Sequence, residues 1–235
     1  MGKKVAVLYD IHGNDAALQA VLEELRIRPV DGVVIGGDVA WGPEPVPVMD
    51  RLIKLKRETE VYFIRGNADR EVAGRERELD EFVSDVNEWC YNQLSSEHLE
   101  FLRSLKEHQV LEVEGLGEIL FVHGSPRSDE EGIRCSTSED EIRPMLKGVK
   151  QRILVCGHTH VQFYRQVDGI RLINPGSVGL PSGAVGACWA ILGPDVSFME
   201  TLYDIDKTAE RIMGSGVPYA SAFAAHIRRP PIQGP

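Results

Sequence analysis

Seven side chains in this 235-residue sequence are of the types that bind metal ions and follow short apolar runs: Asp10, His12, Asp38, Asn67, His123, His158 and His160. Neutral imidazoles mixed with a few carboxylate and amide oxygens suit Mn, Fe, Co, Ni or Zn, whereas calcium prefers all-oxygen cages. No cysteine stands among them, which argues against a structural zinc site. Two divalent cations about 3.5–4 Å apart need a bridging group with two oxygens. Asp38 is the natural bridge. The chemistry open to such a pair is hydrolysis by an activated water.

Taken singly, each box has a plainer reading. Asp10 can cap a helix, Gly36-Gly37-Asp38 can be a tight exit from a strand, Asn67 after Gly66 can be a left-handed turn residue, and His123 can sit at the edge of a core. Gly157-His158-Thr159-His160 is harder to dismiss, because two imidazoles at i and i+2 after a glycine have no obvious packing purpose. All five boxes occur in order, each at the end of an apolar run. In open α/β sheets the carboxyl ends of strands are where ligands bind.

The elements that must hold these boxes are legible from periodicity. Lys4 to Leu8, Gly32 to Ile35 and Glu60 to Ile64 read as buried strands. Leu18, Val21, Leu22 and Leu25 fall on one face of a helix that Asn14 or Asp15 can cap, and a second amphipathic helix is expected around Val46 to Lys56. Parallel strands with right-handed crossovers follow. Residues 70 to 108 interrupt this alternation with a charged helical stretch and a second helix from Ser95 to Leu105, an expected helical insertion or lid. Strands return at Gln109 to Val113, Glu118 to Val122 and Ile153 to Cys156, and Ser138 with Glu141 forms a capping box. Asp168-Gly169 between two apolar runs predicts a hairpin, with further strands at Ala187 to Leu192 and Ser197 to Tyr203. One domain over 1–227 is expected, with 228–235 as a mobile tail because that segment shows no packing pattern.

Composition narrows the class of partner. A net charge of -10 argues against a non-specific grip on long nucleic acid, which needs a basic surface. A phosphate substrate stays open, because bound cations supply local positive charge. The apolar runs are strand-sized, so no membrane span or signal peptide is expected and the protein is expected to be soluble and cytoplasmic. Four widely spaced cysteines without a C-x-x-C pair suggest reduced thiols, and the oligomeric state is left open.

The series Asp10-Ile11-His12-Gly13-Asn14, Gly37-Asp38, Gly66-Asn67-Ala68-Asp69, His123-Gly124-Ser125-Pro126 and Gly157-His158-Thr159-His160 resembles the calcineurin-like metallophosphoesterase superfamily, and within it the compact bacterial and archaeal phosphodiesterases. Asn174-Pro175-Gly176-Ser177 resembles the turn such proteins carry after the last histidine box. The resemblance spans roughly Lys3 to Leu202. It implies a four-layer α/β/β/α sandwich with the metals at the strand ends. It also implies one divalent ion on Asp10, His12, Asp38 and His160, a second on Asp38, Asn67, His123 and His158, and a bridging water or hydroxide that attacks phosphorus.

One departure bears on mechanism. Many members of that superfamily carry a histidine directly after the box-three asparagine, where it can protonate the leaving group; here the residue is Ala68, followed by Asp69. The change points to diesters or activated esters and makes Asp69 the candidate acid. Asn14 can reach substrate or cap the first helix, Arg127 can bind a phosphate oxygen or lie on the surface, and Trp41 can line a pocket or pack. The leading expectation is a metal-dependent phosphodiesterase of small esters or nucleotides. The alternatives are a diadenosine polyphosphate hydrolase, a phosphoprotein phosphatase and, more remotely, a non-catalytic protein-binding scaffold of the same fold.

Overall fold

Three short apolar runs become the parallel strands β1 (Val5–Leu8), β2 (Gly32–Ile35) and β3 (Val61–Phe63) of a first sheet. The computed structural model describes residues 2–75 and 80–235. Helix α1 (Asp15–Leu25) joins β1 to β2 and starts where Asn14 Oδ1 accepts the Ala17 N–H at 3.1 Å. Helix α2 (Pro45–Glu58) joins β2 to β3 and opens with Pro45, whose missing N–H costs nothing in a first turn. Both helices bury a stripe against the sheet, Ala17, Leu18 and Val21 from one and Val48, Met49 and Leu52 from the other.

The expected helical stretch after β3 resolves into α3 (Asn67–Gly74), α4 (Glu81–Gln93) and α5 (Ser96–Arg103). Part of the charged run between Arg70 and Glu81, residues 76–79, lies outside the described residues. Next come β4 (His108–Val113) and β5 (Gly117–Val122), α6 (Glu139–Met145) with its Ser138/Glu141 capping box, and β6 (Ile153–Val155). The Asp168-Gly169 turn joins β7 (Phe163–Val167) to β8 (Ile170–Asn174), antiparallel as its residues predict. Strands β9 (Ala187–Leu192) and β10 (Val196–Thr201) return to the first sheet, followed by α7 (Ile205–Met213) and α8 (Ala220–Arg228).

The strand orders are β10-β9-β1-β2-β3 and β4-β5-β6-β8-β7, two mixed sheets packed face to face. Alternation along each strand decides which side chains meet. Val5, Val7, Tyr9 and Val34 from the first sheet pack against Ile119, Phe121, Ile153, Val155 and Ile173 from the second. On the outer face of the first sheet Ala6, Leu8, Val33 and Ile35 pack under α1 to α5, α7 and α8. The outer face of the second sheet packs Leu120, Val122, Leu154 and Leu172 against Ile142 and Met145 of α6. The result is the four-layer α/β/β/α sandwich. Each fully buried aliphatic side chain contributes roughly 1.5–3 kcal/mol relative to exposure.

Residues 229–235 leave α8 and run over the loop after β6. Their contacts are mostly backbone contacts, which leave no side-chain periodicity in the sequence. Gly183 N donates to Pro231 O at 2.8 Å, and Arg134 Nη1 donates to Gly234 O at 3.1 Å. Cys90, Cys156 and Cys188 are buried, Cys135 is exposed, and all four are free thiols. No helix among the described residues is long and apolar enough to cross a membrane.

Candidate metal centre

The five boxes leave the carboxyl ends of β1, β2, β3, β5 and β6 and converge where the two sheets meet. Asp10, His12 and His160 form one group whose donor atoms all lie within 4.8 Å of one another, and Asp38, His123 and His158 form a second. Asp38 Oδ2 lies 3.7 Å from His12 Nε2 and 3.4 Å from His123 Nε2, so this carboxylate faces both groups. His12 Nε2 and His160 Nε2 are 3.0 Å apart. Two lone-pair nitrogens pointed at each other are stable only with a proton or a cation between them.

Backbone conformation bears on the same point. Asp10, His12, Asp38, His158 and His160 all have positive φ, from 46° to 65°, in the left-handed region that non-glycine residues seldom occupy. Strain of this kind costs of order 1–3 kcal/mol per residue and clusters at functional sites. The sharp reversals let a strand end turn its side chain back over the sheet edge.

Partners behind the donors fix which atom each one offers. His123 Nδ1 is 2.8 Å from Gly36 O and His12 Nδ1 is 3.3 Å from Trp41 O, so each Nδ1–H donates to a carbonyl and each Nε2 is left as the ligand nitrogen. Ala68 N donates to Asp38 Oδ1 at 2.9 Å, and His158 N donates to Asp10 Oδ2 at 3.0 Å. Asn67 Nδ2 donates to Glu71 Oε1 at 3.1 Å. Asn67 Oδ1, Asp10 Oδ1, His123 Nε2 and His160 Nδ1 are buried without a hydrogen-bond partner among the described residues. Buried polar atoms left this way are costly unless something else satisfies them. Divalent cations fit the donor set, and these orphan atoms are the test the residues pass.

Electrostatics separate the four imidazoles. Burial lowers His12 and His158 to about 4 and pulls His160 well below the usual imidazole value, which keeps all three neutral and able to bind metal near neutral pH. Burial also pushes His123 down, but the neighbouring Asp38 and Asp10 carboxylates overcome it and lift that ring to about 10. Burial raises Asp38 while His123, His12 and His158 together hold it below its ordinary value. Burial, with Asp38 beside it, raises Asp10 well above the usual carboxylate range. A cation bound here would take the place of the proton held among these groups.

The other singled-out residues fall in different places. Asp69 is fully buried and absent from the cavity wall; its carboxylate accepts N–H groups of Asp38 (2.9 Å), Val39 (2.9 Å) and Gly66 (3.0 Å). Burial and Asp38 raise it to about 6, against the pull of those N–H groups. Gly66 is needed for this approach, since a Cβ there would lie 2.1 Å from Asp38 Oδ1. Asn14 is buried, caps α1, and donates to Gly179 O at 2.9 Å and Tyr203 Oη at 3.2 Å. Arg127 is paired with Glu131 and lines a separate cavity of about 250 Å³ with Arg65, Arg70 and His123.

Sequence reasoning passed over Glu71, Asn87 and His226 and gave the Asn174-Pro175-Gly176-Ser177 turn no positioning role. Glu71 and Asn87 stand behind Asn67, Asn87 Nδ2 donating to Glu71 Oε2 at 3.4 Å. Asn174 donates to Gly157 O at 2.9 Å and Thr159 Oγ1 at 3.0 Å, and Ser177 donates to Asp10 O at 2.7 Å, so the Asn-Pro-Gly-Ser turn braces two ligand loops. Glu71 stands one helical turn after Asn67, a spacing that signals the contact. His226 on α8 also lines the main cavity, its Nε2 2.9 Å from Pro181 O.

That cavity, about 470 Å³, opens onto His12, Asp38, Asn67, His158 and His160, with Trp41 and Ala68 in its wall. Among known proteins, an uncharacterised protein of Methanocaldococcus jannaschii is 27% identical over 91% of this chain and 93% of its own length. Phosphodiesterase YfcE of Escherichia coli is 28% identical over 86% of this chain and 93% of its own. A metallophosphoesterase from Sphaerobacter thermophilus superposes with a TM-score of 0.77 at 27% identity, covering 97% of this chain and 99% of that one. A hypothetical protein from Pyrococcus horikoshii gives a TM-score of 0.84 at 25% identity over the same shares. Residues 4–195 match the calcineurin-like phosphoesterase superfamily domain, and with its donors grouped at the strand ends the chain belongs to that superfamily.

Proposed function

We propose that this protein hydrolyses small phosphodiesters at two divalent transition-metal ions, one on Asp10, His12, Asp38 and His160 and the other on Asp38, Asn67, His123 and His158. The observation that carries the reading is the place of Asp38 Oδ2, within 3.7 Å of an imidazole from each group. When bound, such a pair supplies Lewis acidity to the phosphoryl oxygens and lowers the pKa of an attacking water.

The protein's own residues do the rest. The carbonyls of Gly36 and Trp41 hold two imidazoles in the tautomer that presents Nε2. Asp69, through three backbone N–H groups, fixes the turn that carries Asp38, and we assign it to positioning. Ala68 lies in the cavity wall where many relatives carry an imidazole, so nothing directly after Asn67 protonates a poor leaving group. That favours diesters and activated esters over alkyl monoesters. The kinship with phosphodiesterase YfcE supports the same choice.

The test is to strip the protein of metal, verify the removal, and add back Mn, Co, Ni, Fe, Zn and Mg against monoesters, diesters and nucleotides. Activity should vanish on stripping and return best with Mn, Co or Ni, because the site is rich in imidazole. Aryl diesters should be cleaved well ahead of alkyl monoesters. Undiminished hydrolysis by verified metal-free protein overturns the reading.

A further inference from the structure

The metal donors occupy only one side of the main cavity. The remaining wall is largely apolar, and much of it comes from α8 and residues 229–235, beyond the stretch that matches the superfamily domain. Trp41, Phe82 and Phe223 contact one another there, with ring centroids 5.8 Å apart for Trp41 and Phe82, 5.4 Å for Trp41 and Phe223, and 6.0 Å for Phe82 and Phe223. The His12 and Trp41 rings meet edge to face with centroids 5.4 Å apart, which sets the aromatic cluster directly beside the metal donors. Pro231 and Gly234 line the same cavity, and Gly234 sits so close to the His158–His160 loop that a Cβ would lie 1.8 Å from Thr159 O. Ala68 contributes only a methyl group, so the space next to Asn67 stays open.

Trp41 is 9% exposed, and its Nε1 is buried without an acceptor among the described residues. An aromatic wall with a charged centre at one end is the arrangement that takes a planar ring carrying a phosphoryl group.

The geometry points to a ring subsite: Trp41, Phe82 and Phe223, with Ala222 and the 231–234 segment, hold a planar aromatic group of the substrate, a nucleobase or an aryl ester, while its phosphorus sits at the metal donors. This rests on the proposed phosphodiesterase reading and narrows its substrate class. Part of the subsite comes from the C-terminal elements, and a chain ending after β10 would leave the cavity open on the α8 side.

Phenylphosphonate, methylphosphonate and 5′-AMP test it, because all carry a phosphoryl dianion and the metal contribution cancels in the comparison. Affinities are read by calorimetry on Mn-loaded protein and, where hydrolysis is observed, as inhibition constants against a p-nitrophenyl diester. Phenylphosphonate should bind about tenfold or more tightly than methylphosphonate, the advantage expected from burying one ring. If 5′-AMP exceeds phenylphosphonate, the ring is a nucleobase; if 5′-AMP matches methylphosphonate, it is an aryl ester. Ala222→Leu adds bulk at an exposed position of the wall and should pull the phenyl-to-methyl ratio to within about threefold. Phe223→Leu, a smaller change than truncation to alanine, should reduce the same ratio. Equal binding of all three compounds by the wild-type protein overturns the proposal, as does a ratio unchanged in both variants. Failure of every diester to hydrolyse, with the ring preference intact, would instead count against the phosphodiesterase reading alone.

Discussion

Asp38 Oδ2 faces Nε2 of an imidazole in each donor group, at 3.7 Å for His12 and 3.4 Å for His123, whereas Asp10 Oδ1 lies 4.0 Å from His160 Nε2 but meets His123 only at Nδ1, 3.9 Å away, the nitrogen that donates to Gly36 O. Asp38→Asn keeps the shape but removes the charge that offsets repulsion between two cations. The variant should bind fewer metal equivalents by elemental analysis and lose nearly all hydrolysis; two equivalents with near wild-type turnover would refute the two-metal assignment. Asp69 makes a different prediction. Its carboxylate accepts three backbone N–H groups, and Asp69→Asn turns an amide donor toward at least one of them, at a cost of about 3 kcal/mol for a lost charge-assisted bond. Stability and activity should fall together while the shape of the pH–rate profile holds. Selective loss of the acidic limb, with metal content unchanged, would give Asp69 the acid role. The clustered His and Asp donors were legible because strand ends punctuated by Gly37, Gly66, Gly124 and Gly157 announce them. Glu71, Asn87 and His226 were not, since their roles depend on which helix faces lie over the site.

At the scale of elements, the ligand loops keep their shape because the helices and turns beside them are pinned. Asn14 joins α1, the loop at Gly179 and Tyr203 through one side chain. Asn14→Ala removes a helix cap worth about 1–2 kcal/mol, which for a chain of this size lowers Tm by roughly 2–8 °C. Thermal unfolding checks that value, and a diester assay decides between the two readings of the residue. Near-normal turnover identifies Asn14 as a cap, whereas a loss of about a hundredfold with little change in Tm places it on substrate. Strand and helix periodicity made β1 to β3, α1, α2 and the β7–β8 hairpin readable in advance. Helices α7 and α8 were missed, although Asp204 caps α7 and Ile205, Ala209 and Ile212 carry the i, i+4, i+7 spacing of a buried stripe. The segment after α8 offered no pattern at all, because backbone carbonyls rather than side chains tie it to Gly183 and Arg134.

For the molecule as a whole, the buried donor groups tie stability to pH in opposite senses with and without metal. The His123 ring, lifted to about 10 by Asp38 and Asp10 against the effect of burial, keeps a proton in the metal-free fold that the unfolded chain releases near 6.5. A raised pKa of this kind contributes stability that is complete below 6.5 and is lost as pH rises through 10. Asp10, raised by burial, acts in the same direction. His12 and His158, lowered to about 4 by burial, stay neutral in both states above 6.5 and bear only on the acid side, where stability falls as pH drops from 6.5 toward 4. Between pH 7 and 9 the metal-free protein should therefore lose about 1.4 kcal/mol per pH unit for each proton the fold retains. Metal loading reverses this, since a cation replaces the His123 proton and competes better as protons become scarce. Thermal unfolding at pH 7, 8 and 9 should show Tm falling for stripped protein and holding or rising for Mn-loaded protein, with His123→Asn flattening the stripped curve. Parallel curves for the two forms would mean that protons and metal do not share the Asp38–His123 site.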